Sequence, residues 1–364
     1  MVNYIRGINR RSLIIYSIAV VLILISCAKD KPYLINKISS DSFSIIVLPD
    51  TQFYSKRYPE TYYRQTQWIV DHRDELNIKF VIHLGDITHN NTHEQWKVAN
   101  KAHMILDKAN IAYSMVPGNH EMPKIGTGQD RERNTTKYNK YFGPGRFSEE
   151  SWYGGHMGTT NDNNFTFFEW KNLKFMVVSL EFAPRNEALE WANKVIEQYK
   201  ERRVIVVTHC YLDMCKAGNT GCGRYYNNCA IAYNLEGNGA DTIWEKLVSK
   251  HKNIFMVLSG HITDVEHIIR KGGAGNDVHE ILTDYQNERS KQYKYTKTGE
   301  KRGKKNGNGW LRILQFNPNE NKIHVSSRSV DGVKRFYETE RYNKDPAHPD
   351  HTYSFHYDMN TPVP

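Results

Sequence analysis

The sequence predicts an α/β fold in which helices flank two packed β-sheets. Three observations predict it. Short Val/Ile/Leu-rich runs occur without strict alternation, amphipathic helical patterns separate several of them, and in the last third strand-like runs follow one another with only turns between. Runs of the first kind are strands buried on both faces. Helices alternating with them make α/β layers. The closing strands add a second, more antiparallel sheet packed against the first.

The runs are 43–48 (FSIIVL), 79–84, 111–116, 174–180, 203–208 and 254–259. Helical stripes cover 61–76, 94–110 (Trp96, Ala99, His103, Leu106), 187–201 (Leu189, Ala192, Ile196, Tyr199) and 241–250. The closing strands are 265–270, 278–283, 310–316 and 322–327, and the tail 347–357, with His348, His351 and His356, reads as a terminal edge strand. No linker interrupts 43–340, which reads as one domain between a tether at 27–42 and a C-terminal extension at 341–364.

Composition narrows the function. With 364 residues, 39% hydrophobic and 24% charged, the chain can bury a sizeable core and is too apolar for disorder. A mean hydropathy of −0.67 with one long apolar run excludes a polytopic membrane protein. The net charge of +9 is local: Arg6, Arg10 and Arg11 carry part of it, and the segment 289–306 carries eight Lys/Arg against Glu300. The remainder is close to neutral, so no basic face extends over the fold and no specific nucleic acid is expected as partner. The basic segment reads as a solvated loop; its sharper reading is steering of an anionic substrate or contact with anionic lipid.

Residues 1–26 read as a lipoprotein signal peptide. Arg10 and Arg11 precede a 13-residue apolar run, 13–25, too short for a comfortable membrane span. Its end, Leu24-Ile25-Ser26-Cys27, resembles the lipobox of bacterial lipoproteins, with Cys27 as the lipid-attachment residue. The expectation is an exported protein tied to a membrane through its N-terminal lipid. Ala28 after the cysteine favours the outer membrane or cell surface. An uncleaved anchor is the competing reading and puts the domain on the same side. Cys210, Cys215, Cys222 and Cys229 fit two local disulfides in an exported chain, with three pairings open. A zinc site competes, against spacings that are not C-x-x-C.

The chemistry sits behind the strands. After 43–48 comes Asp50-Thr51-Gln52; after 79–84, Gly85-Asp86; after 111–116, Gly118-Asn119-His120-Glu121; after 203–208, His209; after 254–259, Gly260-His261-Ile262-Thr263. Ligand sites in α/β sheets gather at the carboxyl ends of strands. Asp, Asn and His are oxygen and nitrogen ligands suited to divalent metals.

This set resembles the calcineurin-like metallophosphoesterases, whose order is D-x-H, G-D, G-N-H-[DE], a lone His and G-H-x-H; the resemblance spans roughly 43–268. Segments 141–156 and 308–311 also resemble an exported bacterial branch of that family. The resemblance implies two stacked mixed sheets flanked by helices, an αββα sandwich, and two divalent metal ions (Mn, Fe, Zn or Mg). It implies that Asp86 bridges them, that Asp50 and Gln52 hold the first, and that Asn119, His209 and His261 hold the second. His120 donates a proton to the leaving group, with Glu121 orienting it. Two such cations lower the pKa of a shared water, and the hydroxide attacks phosphorus in line; an imidazole protonates the departing alkoxide.

Two positions depart from the pattern. Gln52 replaces a His, a form also found in branches that cleave nucleotide diphosphate bonds. Thr263 replaces the last His, and a Thr hydroxyl is a poor, short ligand. Asp264 and His267 are the candidate replacements, and the first site is expected to be weak and to prefer Mn2+ or Mg2+ over Zn2+. Asn90, Asn91 and His156 are weaker candidates for substrate contact, and Asp284-Tyr285-Gln286, ending a strand, for the pocket wall. The expected substrate is a phosphorylated small molecule or polymer. The alternatives are a non-catalytic or single-metal binding lipoprotein on the same fold, and a surface glycan binder. Trp68, Trp96 and Trp191 fall in helical patterns and read as core rather than as a glycan platform.

Overall fold

The computed structural model describes residues 38–213, 228–286, 308–331 and 352–363. Among them thirteen strands form two mixed sheets. β1 (Phe43–Leu48), β2 (Ile78–His83) and β3 (Tyr113–Met115) run parallel in the first sheet. The second opens with the meander β4 (Tyr153–His156), β5 (Asn164–Trp170) and β6 (Leu173–Leu180). It continues in parallel through β7 (Arg203–Thr208) and β8 (Ile254–Ser259). The hairpin of β9 (Asp264–Lys271) and β10 (Asp277–Asp284) closes it, β10 lying parallel to β8. β11 (Trp310–Asn317), β12 (Lys322–Ser329) and β13 (Tyr353–His356) return to the first sheet, where β11 pairs antiparallel with β1 at Ile45↔Leu314. The orders are β13-β12-β11-β1-β2-β3 and β4-β5-β6-β7-β8-β10-β9.

The sequence expectation of a separate closing sheet is therefore corrected. Of the four closing strands, two extend the second sheet and two the first. An apolar run records burial on both faces but not the identity of the partner. The terminal strand does form, as the edge strand β13, and it carries the domain beyond 340. Arg203 holds the chain that follows it through the Tyr357 hydroxyl and the carbonyls of Asp358, Met359 and Thr361.

Among the described residues the α-helices are α1 (Gln52–Arg57), α2 (Pro59–Asp71), α3 (His93–Lys108), α4 (Thr136–Phe142), α5 (Asn186–Gln198), α6 (Cys229–Ala232) and α7 (Ala240–Lys246); α2, α3, α5 and α7 fall on the four predicted stripes, and α1, α4 and α6 are additions. Pro59 opens α2, where its missing N–H costs no hydrogen bond. The Thr92 side chain caps α3 by accepting from the Gln95 N–H. The pattern at 241–250 breaks after Lys246, and Val248–Lys250 forms a 3-10 turn.

The core explains the missing alternation. Phe43, Ile45 and Val47 of β1 meet Phe175 and Val177 of β6 and Ile205 and Val207 of β7 between the sheets. Val204 and Val206 of β7 face the other way, against Leu189 and Ile196 of α5 and Ile243 of α7. Each such side chain contributes about 1.5–3 kcal/mol of burial. Trp96 is buried, Trp68 nearly so, and Trp191 packs against the core, as a structural reading requires. A disulfide joins Cys210 to Cys229. The residues read as a signal peptide, with Cys27, and also Cys215, Cys222 and the basic segment 289–306, lie outside the described residues. Among the described residues no helix is long and apolar enough to cross a membrane.

Candidate metal centre

The carboxyl ends of β1, β2, β3, β7 and β8 deliver Asp50, Asp86, Asn119, His209 and His261 to one place. Ligand atoms of Asp86, His209 and His261 lie within 4.8 Å of one another. His209 Nε2 stands 3.2 Å from Asp86 Oδ1, and the His261 backbone N–H donates to Asp50 Oδ2 at 3.3 Å. Two of these residues, Asp86 (φ 48°) and His261 (φ 74°), sit in left-handed backbone conformations, a strain that sites with a function concentrate.

The glycines of the motifs are explained by space. A Cβ on Gly118 would lie 2.3 Å from Asp86 Oδ1, and one on Gly260 would lie 2.3 Å from Asp50 Oδ1. No other residue lets the backbone approach these carboxylates so closely.

Unpartnered atoms decide whether the residues suit a cation. Asp50 Oδ1, Asn119 Oδ1 and His209 Nε2 are all buried and make no hydrogen bond of good geometry. Buried polar atoms are normally satisfied, and these three are the oxygen and nitrogen donors a divalent metal takes. The residues fit the metal that the sequence pattern implies.

Hydrogen bonds fix the imidazoles. His209 Nδ1–H donates to the Leu84 carbonyl at 2.7 Å, which turns Nε2 toward Asp86. Burial alone would lower the His209 pKa, but Asp86 and Asp50 outweigh it and hold it up to about 10. Burial would raise Asp86, yet His209 and His120 hold it well below the ordinary carboxylate range. Burial, with His209 adding to it, pushes His261 down to about 3. A proton and a cation thus compete for the same His209 nitrogen.

His120 lies at the rim. Its Nδ1–H donates to the His89 carbonyl at 2.6 Å, its ring stacks on His89 at 4.9 Å, and its Nε2 faces Asp86 Oδ2 at 3.9 Å. The orienting group is therefore the His89 carbonyl, which corrects the role expected for Glu121. Glu121 is buried beneath the site. Its Oε1 accepts from the Thr88 N–H and hydroxyl, and its Oε2 from the Gly118 N–H at 2.8 Å. It braces two site loops against each other. Burial, then the Asp86 charge, pushes its carboxyl up to about 7.

Gln52 reaches the centre with its amide nitrogen inward. Nε2 donates to Asp86 Oδ2 at 2.9 Å and to Gln286 Oε1, while Oε1 meets His89 Nδ1 at 2.5 Å. A half-turn of the amide exchanges the two ends and presents the oxygen. Asp284 and Gln286 are also brought in, beside Gln52 and Asp50. His89 and Tyr233, whose hydroxyl lies 3.5 Å from His261 Nε2, belong to the centre and were missed. The signal for His89 was its place in the same loop as Asp86.

Other candidates are placed elsewhere. His267 stacks on His279 and packs against Phe355, with Nε2 3.1 Å from His279 Nδ1. It lies three residues along β9 from the site end, about 10 Å away. Asp264 opens β9 opposite Asp284, and its side chain lies outside the described residues. Asn91 is spent on structure, accepting from Trp96 Nε1 and donating to the Glu121 carbonyl. Asn90 is tied to Gln95. His156 reaches the same rim on the edge strand β4, three strands from β7, which is about 14 Å across the sheet.

Against this geometry, residues 43–265 match the family model of the calcineurin-like phosphoesterases. The chain belongs to the calcineurin-like phosphoesterase family. Among curated relatives of this chain, the uncharacterized protein YvnB of Bacillus subtilis (strain 168) is 28% identical over 316 residues, covering 84% of this chain and 21% of YvnB. The chain thus spans about one fifth of that relative's length. Among solved structures, the purple acid phosphatase PPD1 from yellow lupin (Lupinus luteus) seeds superposes with a TM-score of 0.50 at 13% identity, over 88% of this chain and 55% of that one. At that identity the likeness is one of fold: the chain has two mixed sheets with flanking helices.

Proposed function

We propose that the chain is a metal-dependent phosphohydrolase that cleaves a phosphoester or phosphoanhydride bond in a phosphorylated small molecule or polymer. The observation that carries this reading is the convergence of three buried donor atoms without a well-formed hydrogen bond, on Asp50, Asn119 and His209, around Asp86. Two divalent cations held there would supply a nucleophile from water and neutralise charge on the phosphoryl oxygens. Asp86, facing Gln52 on one side and His209 on the other, would serve both cations. Asp50 would hold the first; Asn119, His209 and His261 would hold the second. His120, fixed through Nδ1 by the His89 carbonyl, presents Nε2 to the rim and protonates the leaving group. Gly118 and Gly260 let the backbone pack directly against the carboxylates of Asp86 and Asp50.

The Cys210–Cys229 disulfide and the lipobox-like Leu24-Ile25-Ser26-Cys27 both support an enzyme that works outside the cytoplasm, anchored through a lipid on Cys27. The test is hydrolysis of an aryl phosphate monoester and the matching diester by the full chain in detergent, with Mn2+ or with chelator. Metal-dependent turnover that Asn119→Ala abolishes is the expected result, and the monoester-to-diester ratio assigns the bond class. A folded, Mn2+-loaded chain without turnover on either substrate would replace this reading with that of a metal-binding relative.

A further inference from the structure

The family pattern ends in a His where this chain has Thr263, so the first metal position lacks a ligand on that strand. The neighbouring strand fills the gap. β10 ends at Asp284, and in the antiparallel register Asp284 lies opposite Asp264, next to Thr263. The Thr263 hydroxyl lies 3.4 Å from Asp284 Oδ2, so position 263 faces this carboxylate. Gln286 seats it. Its backbone N–H donates to Asp284 Oδ1 at 2.7 Å and its Nε2 to Asp284 Oδ2 at 2.9 Å. The same Nε2 lies 3.5 Å from Asp50 Oδ2, and Gln286 Oε1 accepts from Gln52 Nε2. Asp284 is buried, at 1% exposure, beside Asp50, whose Oδ1 is buried without a partner. Two carboxylates are thus held together out of water, where the Gln286 amide between them carries no charge and a cation would relieve their repulsion.

We propose that Asp284 is the ligand that replaces the missing His at the first metal position, with Gln286 and Thr263 as positioning residues. The proposal rests on the two-cation reading above. It changes the donor set from imidazole to carboxylate, and so the preference of that site from Zn2+ toward Mn2+ or Mg2+.

The test is Mn2+ binding to the full chain, read by calorimetric stoichiometry and by electron paramagnetic resonance. Wild type is expected to take up two Mn2+ and to show a spin-coupled pair. Asp284→Ala is expected to weaken one of the two sites by about 10–100-fold or more, leaving the spectrum of an isolated ion. Adding Thr263→His to Asp284→Ala is expected to restore the pair. Should Asp284→Ala fail to fold, Asp284→Asn carries the test, because it keeps the shape and loses the charge. Two ions bound with wild-type affinity in these variants would overturn the assignment of Asp284 and leave the two-cation reading standing. Fewer than two ions in wild type would overturn the two-cation reading itself, and this proposal with it.

Discussion

Asp86 is approached by His209, by the His120 backbone N–H at 3.1 Å and by Gln52, and Gly118 packs directly against it. Gly118→Ala would put a methyl 2.6 Å from the Asp86 backbone nitrogen as well as against its carboxylate, and neither can yield far. The expected outcome is a folded protein destabilised by about 1–3 kcal/mol that has lost Mn2+ binding, read by melting temperature and calorimetry together. His120 is different, since its ring touches the rim without joining the unpartnered atoms. His120→Asn should lower kcat by about 10²–10⁴-fold with the Mn2+ stoichiometry unchanged. Loss of an ion in that variant would make His120 a ligand instead. The five strand-end residues were legible in the sequence because each follows a buried strand in a fixed order. The partner that orients His120 was not, because it is a backbone carbonyl and has no side-chain signature.

At the scale of elements, the centre depends on how the loops after β2 and β3 are bound together. Glu121 does this from beneath, with three hydrogen bonds to Thr88 and Gly118. Glu121→Leu would leave the buried Thr88 and Gly118 N–H groups unsatisfied, at about 1–3 kcal/mol each. A drop in melting temperature with weakened Mn2+ binding is expected, and unchanged binding would show that the loops hold without the brace. Sequence adjacency to His120 hid this role. In the 3-10 turn at Asn119–Glu121 successive side chains point to different sides, so the neighbour of a site residue can serve the fold. The same limit applied to sheets: β9 to β12 were each recognisable as strands, but their division between the two sheets depends on contacts between residues far apart in sequence.

For the whole molecule, buried histidines make stability depend on pH. Burial, then the neighbouring His279 and Arg312, push His267 down to about 3, and burial pushes His279 down to about 4 against the opposing Asp277 charge. Both are neutral in the folded chain at pH values where the unfolded chain, with a pKa of about 6.5, is protonated. The unfolded state therefore binds more protons between about pH 4 and 6.5, and this contribution to stability is lost as pH falls through that window. Glu121 and Asp284, each pushed up to about 7 mainly by burial, act in the opposite direction. The difference between wild type and the double variant His267→Gln, His279→Gln isolates the histidines. Its melting temperature should fall less steeply on acidification, by about 2–4 °C for each kcal/mol of stability.

The position of β13 sets where this chain can be cut. It pairs with β12 from Lys322↔His356 to Val325↔Tyr353 and covers the outer edge of the first sheet. A chain stopped at 340 would expose that ladder's donors and acceptors along β12, and an open strand edge recruits another strand. Such a shortened protein is expected to self-associate edge to edge and to elute from a sizing column ahead of the full 364-residue chain, even with Asp50, Asp86, Asn119, His209 and His261 all present. The last dozen residues thus govern whether molecules stay apart, a property separate from the chemistry at the other end of the strands.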